Sequence, residues 1–421
     1  VTKYLGWNKI LPNRYEGLKL MVKKSWNIFT IMMLFISLNA HSVTPKSGTW
    51  RFELKTANAT IPFIADLNLG STNGSGKIFN GKEVISLQDI TLTNKMLRIP
   101  LNPYEITLEL RAESPTSLKG FWIRHNKSPK IELPVSATFG SAERFPGPKK
   151  AASINLNGRW AVTLIDEQKV STPAVAVFEQ KNNYFTGSIL TPTGDLRYLE
   201  GYVSGNTFEA ASFDGMFNYI LKGKISGKKL EAEVLTTYKL KMVGHLEPKA
   251  ELPDAYAATK LEAPLKFSFP DLTGKKISLS DPTFKNRPIV VQFFGSWCPN
   301  CIDEMNYLIP WYKENKKRGI EIIALAFERS LSAAEAKKQL MKVQKKNAVP
   351  YPLLLAGTTA ADKPMEKITG LKNFISFPTT IFLNKKHEVV KVHAGFTGPS
   401  TGTFFEKWKG EFNQTINELL K

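Results

Sequence analysis

From about Ser42 to Lys241 the chain alternates apolar and polar residues in short runs, among them TWRFEL, PFIADLNL, YEITLEL, RWAVTL, AVAVFEQ and YFTGSIL. Alternation at period two sends successive side chains to opposite faces of an extended chain. Turn-forming clusters (STNGSG, FNGK, PTGD, VSGN, SFDG) separate the runs, and no amphipathic helix interrupts them. The pattern predicts antiparallel strands in a barrel or a sandwich. SGTWRFEL (47–54) and NGRWAVTL (157–164) share a Gly-x-Trp lead into an alternating strand, and SAERFPGPKKAAS (141–153) between them reads as a connector. This echo predicts two related β modules, 43–142 and 152–245. A single two-sheet barrel spanning both is the alternative. Trp50 and Trp160 are expected as core plugs.

The pattern changes after GHLEPKAELPDAYAATKLEAPLKF (244–267), a Pro- and Ala-rich stretch that places a linker at 246–263. In 264–421 apolar strands alternate with helical periodicity. PIVVQFF (288–294) leads to a helix over 299–317 closed by Gly319, then to strand IEIIALAF (320–327). Ser332 and Glu335 form a capping-box signature before AAEAKKQLMKVQKKN. YPLLLA is a further strand, MEKITGLK (365–372) a short helix, PTTIFLN and EVVKVHA two more strands, and FFEKWKGEFNQTINELL a closing helix. The predicted fold class is therefore multidomain, with all-β N-terminal modules followed by an α/β domain.

The amino end has a different logic. MVKKSWNIFTIMMLFISLNAHS (21–42) carries two lysines, an apolar stretch and small residues, the layout of a secretory signal peptide. Residues 1–20 read as an upstream extension, with Met21 as the expected start, and an uncleaved N-terminal membrane anchor is the alternative. The formal charge of +20 is scattered over 421 residues without a basic block. That distribution describes a solvated surface and argues against nucleic-acid binding.

Both cysteines of the chain, Cys298 and Cys301, fall in GSWCPNC. A structural bridge closing so short a loop adds little stability through chain entropy. A zinc site needs further ligands, yet there is no third cysteine, and His41, His125, His245, His387 and His393 show no paired spacing, so no metal is expected. A C-x-x-C that follows a strand and opens a helix has another use. The first thiol sits where unpaired N–H groups and the helix dipole favour a thiolate, and the second lies one turn on, within disulfide reach. Cys298 is the expected nucleophile and Cys301 the resolving thiol. Pro299 suits the first helical position.

With these motifs, residues 262–421 resemble the thioredoxin superfamily, and more closely its exported TlpA-like and ResA-like thiol:disulfide oxidoreductases. WCPNC matches the family's redox motif. FPTT (377–380) resembles its cis-proline loop, which implies that Pro378 leaves the neighbouring backbone free to pair with an incoming polypeptide at Phe377. Trp297, Pro299, Phe377 and Pro378 are the substrate-docking residues so implied. Glu304, three residues after Cys301, matches a glutamate that relays protons in the ResA-like branch; an ordinary solvent-facing acid is the plain reading. Thioredoxin's buried aspartate is replaced here by Gln292, which leaves Glu304 as the substitute. HAGFTGP (393–399) resembles the glycine-bearing turn beside the cis-proline; His393 is expected at the surface of a strand end, with a place facing the site as the alternative. The arrangement of a β-rich front with this rear also resembles exported thiol reductases of Bacteroidetes-type bacteria.

The resemblance implies an exported enzyme of the periplasm or cell envelope that reduces disulfide-bearing proteins, needs no cofactor, and draws electrons from a membrane donor. Thiol oxidase or isomerase activity remains an alternative, because Pro-Asn does not set the potential. A thiol peroxidase is the rival enzyme, although Gly295 stands where its threonine would be. A third reading makes the β modules an envelope ligand- or peptide-binding device with a subordinate redox domain.

Overall fold

The computed structural model describes residues 43–70, 73–252, 260–329, 332–358, 368–372, 374 and 376–421; the signal-peptide and upstream readings at 1–42 lie outside them. Eight antiparallel strands, from β1 (Gly48–Lys55) to β8 (Ile131–Phe139), follow one another around a closed barrel. Alternate residues of β1, Trp50, Phe52 and Leu54, point into the barrel and are buried, as period-two patterning requires. A second set runs from β9 (Gly158–Ile165) to β17 (Lys239–Leu246). It includes β10 (Ser171–Lys181) and β11 (Tyr184–Thr191), whose pairing closes this sheet too.

The shared Gly-x-Trp motif does the same work in each barrel. The indole of Trp50 donates to the carbonyl of Lys46 at 3.0 Å, and that of Trp160 to the carbonyl of Leu156 at 2.9 Å. Each buried ring thereby satisfies its one N–H on the segment leading into its own barrel.

The barrels meet through a shared apolar seam and polar pins. Phe63 of the first stacks on Phe213 of the second with ring centroids 3.7 Å apart. Asn80 imitates a ladder residue, donating to the Phe213 carbonyl at 2.9 Å and accepting from its N–H at 3.1 Å. The connector between barrels supplies Arg144, buried and paired with Glu200 at 2.6 Å, which also donates to the Pro62 carbonyl at 3.2 Å.

The C-terminal part is an α/β sandwich. Its sheet has the order β23 (Leu353–Thr358), β22 (Glu321–Glu328), β21 (Ile289–Phe294), β25 (Thr379–Leu383), β26 (Val389–Ala394), with the first three parallel and the rest antiparallel. Helices α1 (Pro299–Asn315), α2 (Ala333–Asn347) and α3 (Thr403–Leu420) accompany it. Ser332 caps α2 by accepting the Glu335 N–H at 3.2 Å. β21 and β22 are buried along their whole length, which is why they read as continuous apolar runs. The fold class is thus the expected one, β-barrels followed by a thioredoxin-like domain.

Two local expectations fail. Thr369–Lys372, read as part of a short helix, forms strand β24 and pairs antiparallel with β18 (Lys260–Lys266); Met365–Lys367 lie outside the described residues. β18 itself begins inside the stretch read as a linker. In both cases pairing with a distant segment decides a conformation that local pattern leaves open.

Candidate active site

β21, at the middle of the sheet, delivers the chain to the turn Gly295–Trp297. Gly295 is required there, since a Cβ would lie 2.2 Å from the Trp297 indole nitrogen. Glu328, at the end of β22, holds the turn by accepting the Ser296 N–H at 2.9 Å and its hydroxyl at 2.6 Å. The Trp297 indole donates to the Phe327 carbonyl at 2.8 Å. Its ring lies edge-on to Phe377 with centroids 5.5 Å apart, and the Arg329 guanidinium sits 3.5 Å over it.

Cys298 then takes an extended conformation as N-cap of α1, with Pro299 in the first turn. Cys298 and Cys301 are joined as a disulfide, with Cα atoms 5.2 Å apart. The Cys298 sulfur accepts the Cys301 backbone N–H at 3.2 Å, so an N–H at the helix start already points at the atom that would carry charge in the reduced state. Cys301 is wholly buried, while Cys298 keeps 6% of its surface exposed. The Phe377–Pro378 peptide, ahead of β25, is cis.

Glu304 is buried on α1 beneath this pair. Its carboxylate accepts the Thr380 hydroxyl at 2.6 Å and the Gln292 side-chain amide at 2.7 Å. The same Gln292 nitrogen lies 3.4 Å from the Cys301 carbonyl, tying the acid to the resolving half of the dithiol. Burial pushes the Glu304 pKa up to about 7, and the two hydrogen bonds oppose it only in part. Glu328 is pushed up to about 7 by its own burial, against the Ser296 hydrogen bonds. Two buried carboxyl groups, one joined through Gln292 to the Cys301 carbonyl and one bonded to Ser296, therefore exchange protons near neutrality.

These shifts predict a pH-dependent stability. An unfolded chain ionises both acids near 4.5, whereas the folded chain keeps them protonated until about 7. Ionised forms thus favour unfolding, and stability falls as pH rises from about 4.5 to 7, by about 3 kcal/mol per acid. Glu304→Gln and Glu328→Gln should each flatten that slope, and urea titrations at pH 5 and 7.5 measure it.

His393 corrects an expectation. It is not a surface residue but 7% exposed, on β26 opposite Thr380, where it accepts the Trp408 indole N–H at 3.0 Å. Helix α3 covers this end of the strand with an aromatic cluster, and burial drives the His393 pKa down to about 3, keeping the ring neutral. No local signal announced Asn300, whose side chain is buried and donates to the Asp195 carbonyl of the second barrel at 3.1 Å.

Residues 258–403 match the Redoxin family model. The chain carries a redoxin domain. Its relatives include thiol-disulfide oxidoreductase ResA of Bacillus subtilis (strain 168), 31% identical over 129 residues, 31% of this chain and 64% of that protein. A protein of the same name from Bacillus cereus is 34% identical over 31% of this chain and 66% of its own length. That of Halalkalibacterium halodurans is 29% identical over 32% and 68%. The match to the two Bacillus proteins thus spans just under two thirds of their length. Among solved structures, a thiol:disulfide interchange protein of Chlorobium tepidum TLS is similar at 20% identity and a TM-score of 0.29, over 38% of this chain and 97% of that one. StoA from Bacillus subtilis is similar at 20% identity and 0.25, over 35% and 98%. The redoxin domain is of the thiol:disulfide oxidoreductase class, with Cys298 and Cys301 as its C-x-x-C pair. Both barrels lie outside the matched region.

Proposed function

We propose that the protein is an exported protein-disulfide reductase of the periplasm or cell envelope, with β modules at 43–142 and 152–245 and a redox domain at 264–421. The observation that carries this reading is the pairing of a helix-capping cysteine sulfur with a buried carboxyl group, Glu304, tied to the second cysteine through Gln292. In the reduced enzyme the Cys298 thiolate attacks one sulfur of a substrate disulfide. A mixed disulfide forms, and the departing sulfur leaves as a thiolate that takes a proton. Cys301 gives its proton toward Glu304 and attacks Cys298, which releases the second substrate thiol and leaves the enzyme oxidised. Two electrons pass from dithiol to substrate, and a membrane dithiol donor restores them. Trp297, Pro299, Phe377 and Pro378 form the docking face. The name shared by the Bacillus and Halalkalibacterium relatives supports the reaction class, and the signal-like segment at 21–42 supports export.

Insulin-disulfide reduction, combined with the potential of the Cys298–Cys301 pair measured in dithiothreitol buffers, tests direction. A reductase should lie toward thioredoxin's ~−270 mV; a value near ~−120 mV would make it an oxidase. Glu304→Gln should remove the step near pH 7 from the rate profile. An unchanged profile would take Glu304 out of the mechanism.

A further inference from the structure

The second barrel meets the redox site at the turn Pro192–Asp195, after β11. Gly194 in that turn has a φ of +136°, and a Cβ on it would lie 2.1 Å from the Asn300 amide nitrogen, inside the C-x-x-C. The Asn300 amide donates to the Asp195 carbonyl. The Asp195 carboxylate, wholly buried, accepts the Gly398 N–H at 2.7 Å and the Ser400 hydroxyl at 2.8 Å. Gly395, whose N–H bonds the Pro378 carbonyl at 2.8 Å, has room for no Cβ because the backbone of Thr193 would lie 2.8 Å from it. The turn is therefore pressed backbone to backbone onto the loop beside the cis-proline, and against the Asn300 side chain at the helix start that bears Cys298. Just beyond the turn, Arg197 pairs with Asp303 of α1. This is a fitted, polar-pinned contact on the face where a substrate polypeptide would have to lie.

We infer that the Pro192–Asp195 turn is a specificity-determining wall of the redox site, admitting disulfides in short or extended peptides and holding off those embedded in compact domains. The inference rests on the redox reading above. Catalytic chemistry is untouched by the wall: Cys298 still forms the bond to the substrate sulfur, and Cys301 still resolves it. What the wall sets is which cystine can approach Cys298 along the line of the bond being broken, as in-line exchange requires.

The test compares two probes on the full chain, reduced beforehand with dithiothreitol: a short linear peptide closed by one disulfide, and insulin as the compact probe. The wild type should favour the peptide. Asp195→Ala, which removes the pins to Gly398 and Ser400, should raise the insulin rate about tenfold by populating an open arrangement, with the peptide rate within about twofold. If Asp195→Ala does not fold, Ser400→Ala removes one of the same pins from the redoxin side and should move the ratio the same way. A wild type that takes both probes equally, or folded variants that leave the ratio unchanged, overturns the inference alone. A wild type that turns over neither probe removes the redox reading, and this inference with it.

Discussion

Replacing Cys298 by serine is expected to reduce turnover of any disulfide substrate to background, a loss on the order of 10³-fold or more, because a serine hydroxyl is neither ionised near neutrality nor able to form a disulfide. Cys301→Ser should behave differently. Its Cys298 is still placed at the helix start, so attack proceeds, but the adduct has no resolving thiol and accumulates as a mixed disulfide. Mass spectrometry of the two variants after incubation with an oxidised peptide separates them: an added peptide mass on Cys301→Ser and none on Cys298→Ser. The opposite pattern would exchange the roles. Their unequal burial, 0% for Cys301 and 6% for Cys298, is the structural basis of the assignment.

The second large effect concerns Arg197, the place where all three units meet. Its guanidinium pairs with Glu83 of the first barrel, with Asp214 of its own barrel at 3.2 Å, and with Asp303 of α1. Burial alone would lower its pKa, but Asp303, Glu83 and Asp214 outweigh that and hold it well above the ordinary value, so the charge is permanent. Arg197→Met leaves these acids facing one another with little water. Removing one partner of a buried ionic cluster costs roughly 3–5 kcal/mol, and denaturant unfolding should show a loss of that size. The deficit should shrink in acid, where the stranded carboxylates are neutralised. An Arg197→Met protein as stable as the wild type at pH 7.5 would show that the cluster holds nothing together.

Much of the architecture was legible because it is local. Period-two runs with glycine- and asparagine-rich turns describe barrel strands wherever they occur, and a strand followed by W-C-P-N-C and a capped helix describes the redox motif without reference to the rest. Long-range pairing is what the sequence hides. Arg144 sits in a stretch that reads only as a connector, yet it is buried and bonded to the second barrel at Glu200. Asp195 ends a turn like several others and Arg197 follows it, and nothing in their spacing names Gly398, Asp303 or Glu83 as partners. Thr369–Lys372 has too few residues for periodicity to speak, so its strand partner decides. His393 misled because its covering aromatic residue, Trp408, comes from a helix fifteen positions on. At the redox site itself, the gap was geometric: Gln292 could be read only as a departure, whereas the fold shows it joining Glu304 to the Cys301 carbonyl.

Closure of both barrels has a consequence for how other chains can attach. A sheet that returns on itself offers no row of unpaired N–H and C=O groups, so β1–β8 cannot recruit a neighbour by adding a strand, and the β10–β11 pairing denies the same opening to the second barrel. In the five-stranded sheet the rims are β23 and β26. Augmentation by a foreign strand is thereby steered to the rear third of the molecule.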